Sequence, residues 1–168
     1  MMLRRIALAL ALATTALSFT ACGDGKDAKS ANVKQGAMPE NEEWAGVYFH
    51  PVFGSLHIQQ EGTNIIGAWE RTDQSRFGDL QGVAAGNLVH FKWTEKDPNF
   101  PGPSGVKKGK GYFVYKMDAE NRPILDGQFG LGDEESGSAW NCTKQKNQKP
   151  DVKGVRRNPE GSGGANGF

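Results

Sequence analysis

From residue 44 to residue 144 the chain is cut into short runs by turn-forming residues. No stretch after residue 22 keeps the 3.6-residue apolar period of a helix. Eight strand-like runs stand between the turns, at 44–49, 54–60, 64–71, 77–84, 87–94, 110–117, 123–130 and 137–143. Leu56 and Ile58 alternate with Ser55, His57 and Gln59, and Val89, Phe91 and Trp93 alternate with Leu88, His90 and Lys92. In 110–117, Phe113, Tyr115 and Met117 alternate with Tyr112, Val114 and Lys116. Both of its faces are apolar, so its inward face stays open. Glu61-Gly62-Thr63, Ala85-Gly86-Asn87 and 118–122 read as hairpin turns. One connection, 95–109, is long and carries Pro98, Pro101, Gly102, Pro103 and Gly105. Loops of that length are usually functional or disordered.

This pattern predicts an all-β fold, an eight-stranded antiparallel up-and-down meander. Such a meander hides its edge strands by closing into a small barrel. A two-sheet β-sandwich is the alternative. Glycine supplies 23 of 168 residues, about twice the usual ~7%. That richness disfavours a helical bundle, and without a Gly-X-Y period it is not collagen. Gly67, Gly82, Gly111 and Gly127 fall inside strands, where a small barrel needs bends and close backbone approach. Eight strands enclose a lumen that side chains fill, or one that holds a single small ligand.

The first segment reads as an address. Arg4 and Arg5 precede an Ala/Leu-rich apolar run at 6–17, too short for a comfortable membrane span. Phe19-Thr20-Ala21-Cys22 follows, and it resembles the lipobox of bacterial lipoproteins, with Phe19 where that motif usually has Leu. The resemblance implies cleavage of a signal peptide at 1–21. Cys22 then becomes the new N-terminus, acylated through its sulphur by fatty chains of the palmitate class. Two or more such chains, at about 0.8 kcal/mol per buried CH₂, hold a protein firmly on a membrane. The implied location is the bacterial cell envelope, facing the periplasm or the cell surface. The alternatives are an ordinary secretory signal with Cys22 free, or an uncleaved anchor.

Residues 22–43 are polar and aperiodic and read as a flexible tether, 44–144 as the barrel domain, and 145–168 as a disordered basic, Gly-rich tail. The 20 basic and 19 acidic residues of the chain become 18 and 19 once Arg4 and Arg5 are removed. A chain so nearly neutral has no global electrostatic claim on nucleic acid. Local basic clusters remain, at Lys107, Lys108 and Lys110 and along 144–157. They are either a solvated surface or a contact for anionic headgroups or another acidic envelope polymer.

A loose repeat runs through the domain: Gly54-x-Leu56-x-Ile58, Ile65-x-Gly67-x-Trp69, Gly78-x-Leu80-x-Gly82, Gly109-x-Gly111-x-Phe113, Leu125-x-Gly127-x-Phe129 and Gly137-x-x-Trp140-Asn141. It resembles small Gly/Trp β-meander domains of bacterial secreted and lipid-anchored proteins. Its cadence is also similar to that of avidin-like and lipocalin-like barrels. The resemblance implies a fold and no specific activity.

Residues with chemistry are few. His50, His57 and His90 stand at no metal-ligand spacing, and His57 and His90 alternate with apolar neighbours, so they should face solvent. No nucleophile motif, phosphate loop or dinucleotide fingerprint is present. No catalytic residue, metal or cofactor is therefore expected. Asp126 sits between Leu125 and Gly127 in a strand and reads as outward. Asp133, Glu134 and Glu135 read as solvated loop charge, and Cys142 as a small buried thiol. The aromatic residues belong to the core by default. The sharper reading puts Trp69, Trp93, Tyr115 and Trp140 around an open barrel mouth that binds a ligand. Two roles follow: a lipid-anchored barrel binding a small ligand or an envelope partner, or a structural or assembly lipoprotein with a solid barrel.

Overall fold

The structure, a computed structural model, describes residues 31–155. The signal segment, Cys22, the first part of the tether and the last part of the tail lie outside the described residues. Nearly all of the regular secondary structure is β. The strands are β1 (Gly46–His50), β2 (Gly54–Glu61), β3 (Asn64–Glu70), β4 (Phe77–Ala85), β5 (Leu88–Lys96), β6 (Val106–Met117), β7 (Pro123–Leu131), β8 (Ser138–Ala139) and β9 (Cys142–Lys144). β1 to β7 pair antiparallel in sequence order, and β9 pairs with both β7 and β1. Eight strands therefore close into a barrel as one continuous sheet. The ninth, β8, pairs only with β7.

The strand that was expected whole at 137–143 is interrupted at Trp140-Asn141. β8 and β9 nevertheless keep one register on β7, with Phe129 opposite Ser138 and Ile124 opposite Thr143. At the interruption Trp140 N–H donates to the Gly127 carbonyl (2.9 Å), and Gly127 N–H donates to Asn141 Oδ1 (3.2 Å). An asparagine side chain thus replaces a backbone acceptor, and no buried amide is orphaned.

Glycine and aromatic residues meet across strands. Trp93 lies opposite Gly109, Phe91 opposite Gly111, Phe113 opposite Gly127 and Trp69 opposite Gly78. A Cβ on Gly109 would come 2.8 Å from the Trp93 ring, and one on Gly111 would come 2.6 Å from Phe91. Each large ring lies over a bare backbone on the next strand, which is how a small barrel houses so many aromatics.

Two expectations are corrected here. The long connection is shorter than 95–109: Glu95 still pairs with Lys107 and Lys96 with Val106, leaving only 97–105 outside the ladder. Lys107, Lys108 and Lys110 are therefore strand residues rather than the end of a loop. The tail is also not structureless from 145. Gln145 N–H donates to the Val47 carbonyl (2.7 Å), and α1 (Val152–Val155) packs on β2 and β3 with Val152 buried. Val47 and Ala68 point outward by alternation yet are fully buried, so the outer wall is covered where β1 to β3 meet the tail. The described part of the tether, 31–43, has no regular structure but lies along the barrel: Gly36 exchanges hydrogen bonds with Asn87, and Ala31 N–H donates to Glu135.

The two barrel ends differ. At the base, Trp44 donates its indole N–H to the Gly86 carbonyl, and Tyr48 donates its hydroxyl to the Trp44 carbonyl. Lys144 Nζ donates to Glu42 (3.2 Å), to the Glu43 carbonyl (2.9 Å) and to the Tyr115 hydroxyl (3.0 Å). These bonds tie chain entry to the closing strand. The other end, formed by the turns at 51–53, 71–76, 97–105 and 132–137, stays open.

Candidate functional site at the barrel mouth

Antiparallel order decides which aromatics reach the open end. β3 and β5 run towards it, so Trp69 and Trp93, late in their strands, stand at the mouth. β6 runs away from it, so Tyr115 stands at the base. The indole of Trp140, at the β8–β9 interruption, lies at the pocket floor. Its ring centroid is 5.0 Å from Trp69, 5.2 Å from Phe113 and 5.6 Å from both Phe53 and Phe129. Trp69, Trp93, Trp140, Phe53 and Phe129 line a cavity of about 330 Å³ open to solvent, with Phe113 packed behind Trp140. Three of the four residues expected at the mouth, Trp69, Trp93 and Trp140, line it.

Tyr115 does not, and its assignment to the mouth is corrected. Its hydroxyl is engaged with Glu42 and Lys144 at the base, and its ring packs edge-on against Trp44 (5.6 Å) and Tyr48 (6.4 Å). Burial holds the Tyr48 and Tyr115 phenols well above their ordinary range, so both remain protonated donors.

The mouth also holds charge, on a stretch whose sequence reads as loop but which continues β5. Glu95 continues the inward parity of Phe91 and Trp93 and is 7% exposed. Arg71 donates to it through Nε (3.0 Å) and Nη2 (2.9 Å), and Arg76 adds a third nitrogen at 3.2 Å. Arg76 also reaches Asp97 at 3.3 Å. A carboxylate held in a guanidinium fork is well satisfied when taken out of water. The Arg71 guanidinium lies 5.4 Å over the Phe53 ring. Phe53, Arg71, Glu95, Lys107, Phe129 and Glu134 are lining residues that the sequence reading did not assign to the mouth. For Glu95 the signal was present, as a charge in phase with an apolar face.

The indole N–H of Trp93 bonds the carbonyls of Lys110 and Gly130, each at 3.2 Å. The indole N–H of Trp140 is buried with no hydrogen-bond partner in range. It faces the Cys142 thiol, which burial pushes up to about 12, an effect this N–H only partly offsets. Cys142 is thus the buried thiol the sequence suggested.

The other polar residues do structural work. His50 Nδ1 accepts the N–H groups of Val52 and Phe53 (3.0 Å each) and so shapes the turn that carries Phe53. His57 lies on the outer face and accepts the Asp151 N–H (2.9 Å). His90, also outward, meets Glu135 at 3.2 Å. Asp126 points outward to Lys116. Asp133 pairs with Lys110, Glu135 with His90, and Glu134 faces the mouth. Among the described residues no group of three His, Cys, Asp or Glu side chains is placed to hold a metal ion. No protein family, curated protein or solved structure matches the chain.

Proposed function

We infer that the chain is a lipid-anchored protein of the bacterial cell envelope whose barrel takes a small ligand into its mouth. The observation that carries this reading is the cavity of about 330 Å³ walled by Trp69, Trp93, Trp140, Phe53 and Phe129. Its volume falls at the lower end of small-molecule sites. The rings favour an apolar or flat body, and Lys107 at the rim favours a polar end left near water. The Arg71–Glu95–Arg76 group acts as a wall, because each of its charges is already answered inside the protein. The apolar walls are what support binding as its use.

The test uses N-phenyl-1-naphthylamine, whose emission rises in apolar sites and accepts energy from tryptophan. Saturable one-to-one binding is expected, lost in Ser138→Trp, which fills the mouth from an exposed position, and kept in Glu61→Trp, exposed at the base end of β2. Equal binding by both variants, or none by the parent chain, overturns the proposal.

A further inference from the structure

Among the described residues the exposed large apolar side chains are not scattered. Val52 (56% exposed) sits in the turn after β1, Phe100 (63%) in the 97–105 loop and Leu131 (62%) at the end of β7. All three belong to the mouth end, on three successive tips around the ring. Phe49 (40%) is one residue from that end of β1, and Val83 alone lies towards the base. The remaining mouth turn, 71–76, is polar. Three large apolar groups held in water on separate tips, framing an apolar cavity, mark a docking rim.

The N-terminal segment says what the rim meets. Gly36 is fixed at Asn87, in a turn of the base, while Ala31 is fixed at Glu135, in the loop whose Glu134 lines the mouth. Towards its N-terminus the chain therefore climbs the outer wall from the closed end towards the open one. Ala31 stands nine positions after Cys22, and at about 3.3–3.6 Å per residue that span reaches at most ~32 Å. From His90, the strand residue on Glu135, β5 continues six residues to Lys96 at the rim, roughly 20 Å at ~3.3 Å each. An anchor at Cys22 can thus hold the rim at the membrane surface.

We propose that the mouth rim docks on the lipid bilayer, with Val52, Phe100 and Leu131 entering its interface, so that the cavity opens towards the membrane and draws its ligand from it. The proposal rests on the reading that Cys22 is acylated. The occupant is lipid rather than an acidic polymer, because the mouth turns mix both signs of charge: Arg71, Arg76, Lys96 and Lys107 stand among Asp73, Asp97, Asp133 and Glu134. What distinguishes this end is apolar exposure.

The test uses the processed chain from its bacterial host, reconstituted into phosphatidylcholine/phosphatidylglycerol vesicles containing brominated lipid. Single cysteines at Val52, Phe100, Leu131 and Asn121 carry a nitrobenzoxadiazole label, Cys142 being buried. Quenching at least threefold stronger at the three rim positions than at Asn121 is expected, with a blue-shifted emission. Chain that floats with the vesicles while its rim labels stay unquenched overturns the docking and leaves the anchor standing. A mature mass without acyl chains removes the anchor; the docking then falls too, unless added vesicles still quench the rim labels. Rim labels that respond in native membranes but not in protein-free vesicles overturn the bilayer in favour of a protein partner.

Discussion

At the residue scale, glycine is the unusual choice, and its positions separate into two physical kinds. At Gly62 the backbone turns left-handed (φ +61°) with nothing near a would-be Cβ. At Gly111 the backbone is ordinary, but a Cβ would meet the Gln128 carbonyl and the Phe91 ring, each at 2.6 Å. Gly62→Asn should therefore fall within about 0.5 kcal/mol of the parent, since asparagine tolerates that conformation. Gly111→Ala should lose about 2–3 kcal/mol, because a backbone carbonyl and a core ring must both give way. Urea unfolding midpoints separate the two. The same glycines explain what the sequence hid. Along the mouth half of β6 the inward positions are Gly109 and Gly111 and the outward ones Lys108 and Lys110, so no apolar alternation exists to read. The rings that fill that wall, Trp93 and Phe91, are carried by β5. Hence 106–109 passed for loop, and Glu95, its partner across the ladder, passed with it. Cys142 gives a second prediction at this scale. A thiol pushed up to about 12 should resist dithiobisnitrobenzoate in the folded protein at pH 8 and react on unfolding.

Elements other than strands in the ring were the least legible. Val152–Val155 is too short to show a period, and its place follows from tertiary contact. Asp151 caps it by accepting the Gly154 N–H (2.8 Å), and the Asp151 N–H is held by His57 from the neighbouring wall. The gap between β8 and β9 was equally hidden, because Asn141 does there what a backbone carbonyl does elsewhere. Asn141→Ala should cost about 1–3 kcal/mol by leaving the Gly127 N–H buried and unpaired, whereas Asn141→Asp keeps the acceptor. The helix latch carries a pH dependence. Burial lowers the pKa of His57 below the ordinary histidine value of 6.5, with Asp151 opposing more weakly. A histidine that is neutral in the fold and binds a proton more readily when released stabilises the docked helix fully above pH ~6.5. That contribution is lost as pH falls below 6.5 towards the lowered value, because a protonated Nδ1 cannot accept. His50, shifted the same way by burial, loosens the Phe53 turn over the same window. Amide exchange, corrected for intrinsic rate, should thus accelerate at 151–155 between pH 7 and pH 5. In His57→Ala it should be fast at both pH values.

Over the whole molecule, closure sets one end against the other. The barrel is sealed by a three-residue strand whose partner on β1 lies almost a hundred positions earlier, as in the pairing of Tyr48 with Lys144. Such non-local closure is slow to form and sensitive to its few contacts. Lys144 makes most of them at the base, where its ammonium and the Glu42 carboxylate are 17% and 22% exposed. Lys144→Met leaves that carboxylate to Tyr115 alone, and should cost about 2 kcal/mol. The mouth is held by a different group, the Arg71–Glu95–Arg76 fork between β3, the 71–76 turn and β5. Glu95→Gln leaves Arg71 with a neutral partner and Arg76 with Asp97 alone, and should cost a similar amount. The two groups stand at opposite ends of the barrel and share no partner. Their losses should then add within about 0.5 kcal/mol in the double variant. Binding should not follow stability in the same way. Lys144→Met should keep the N-phenyl-1-naphthylamine affinity of the parent within twofold, because no mouth residue touches it, while Glu95→Gln should shift it at least fivefold. Calorimetric unfolding and fluorescence titration of the three variants check both statements. A base variant that weakens the mouth would mean that the ends are coupled through the packed lumen at Trp140 and Phe113.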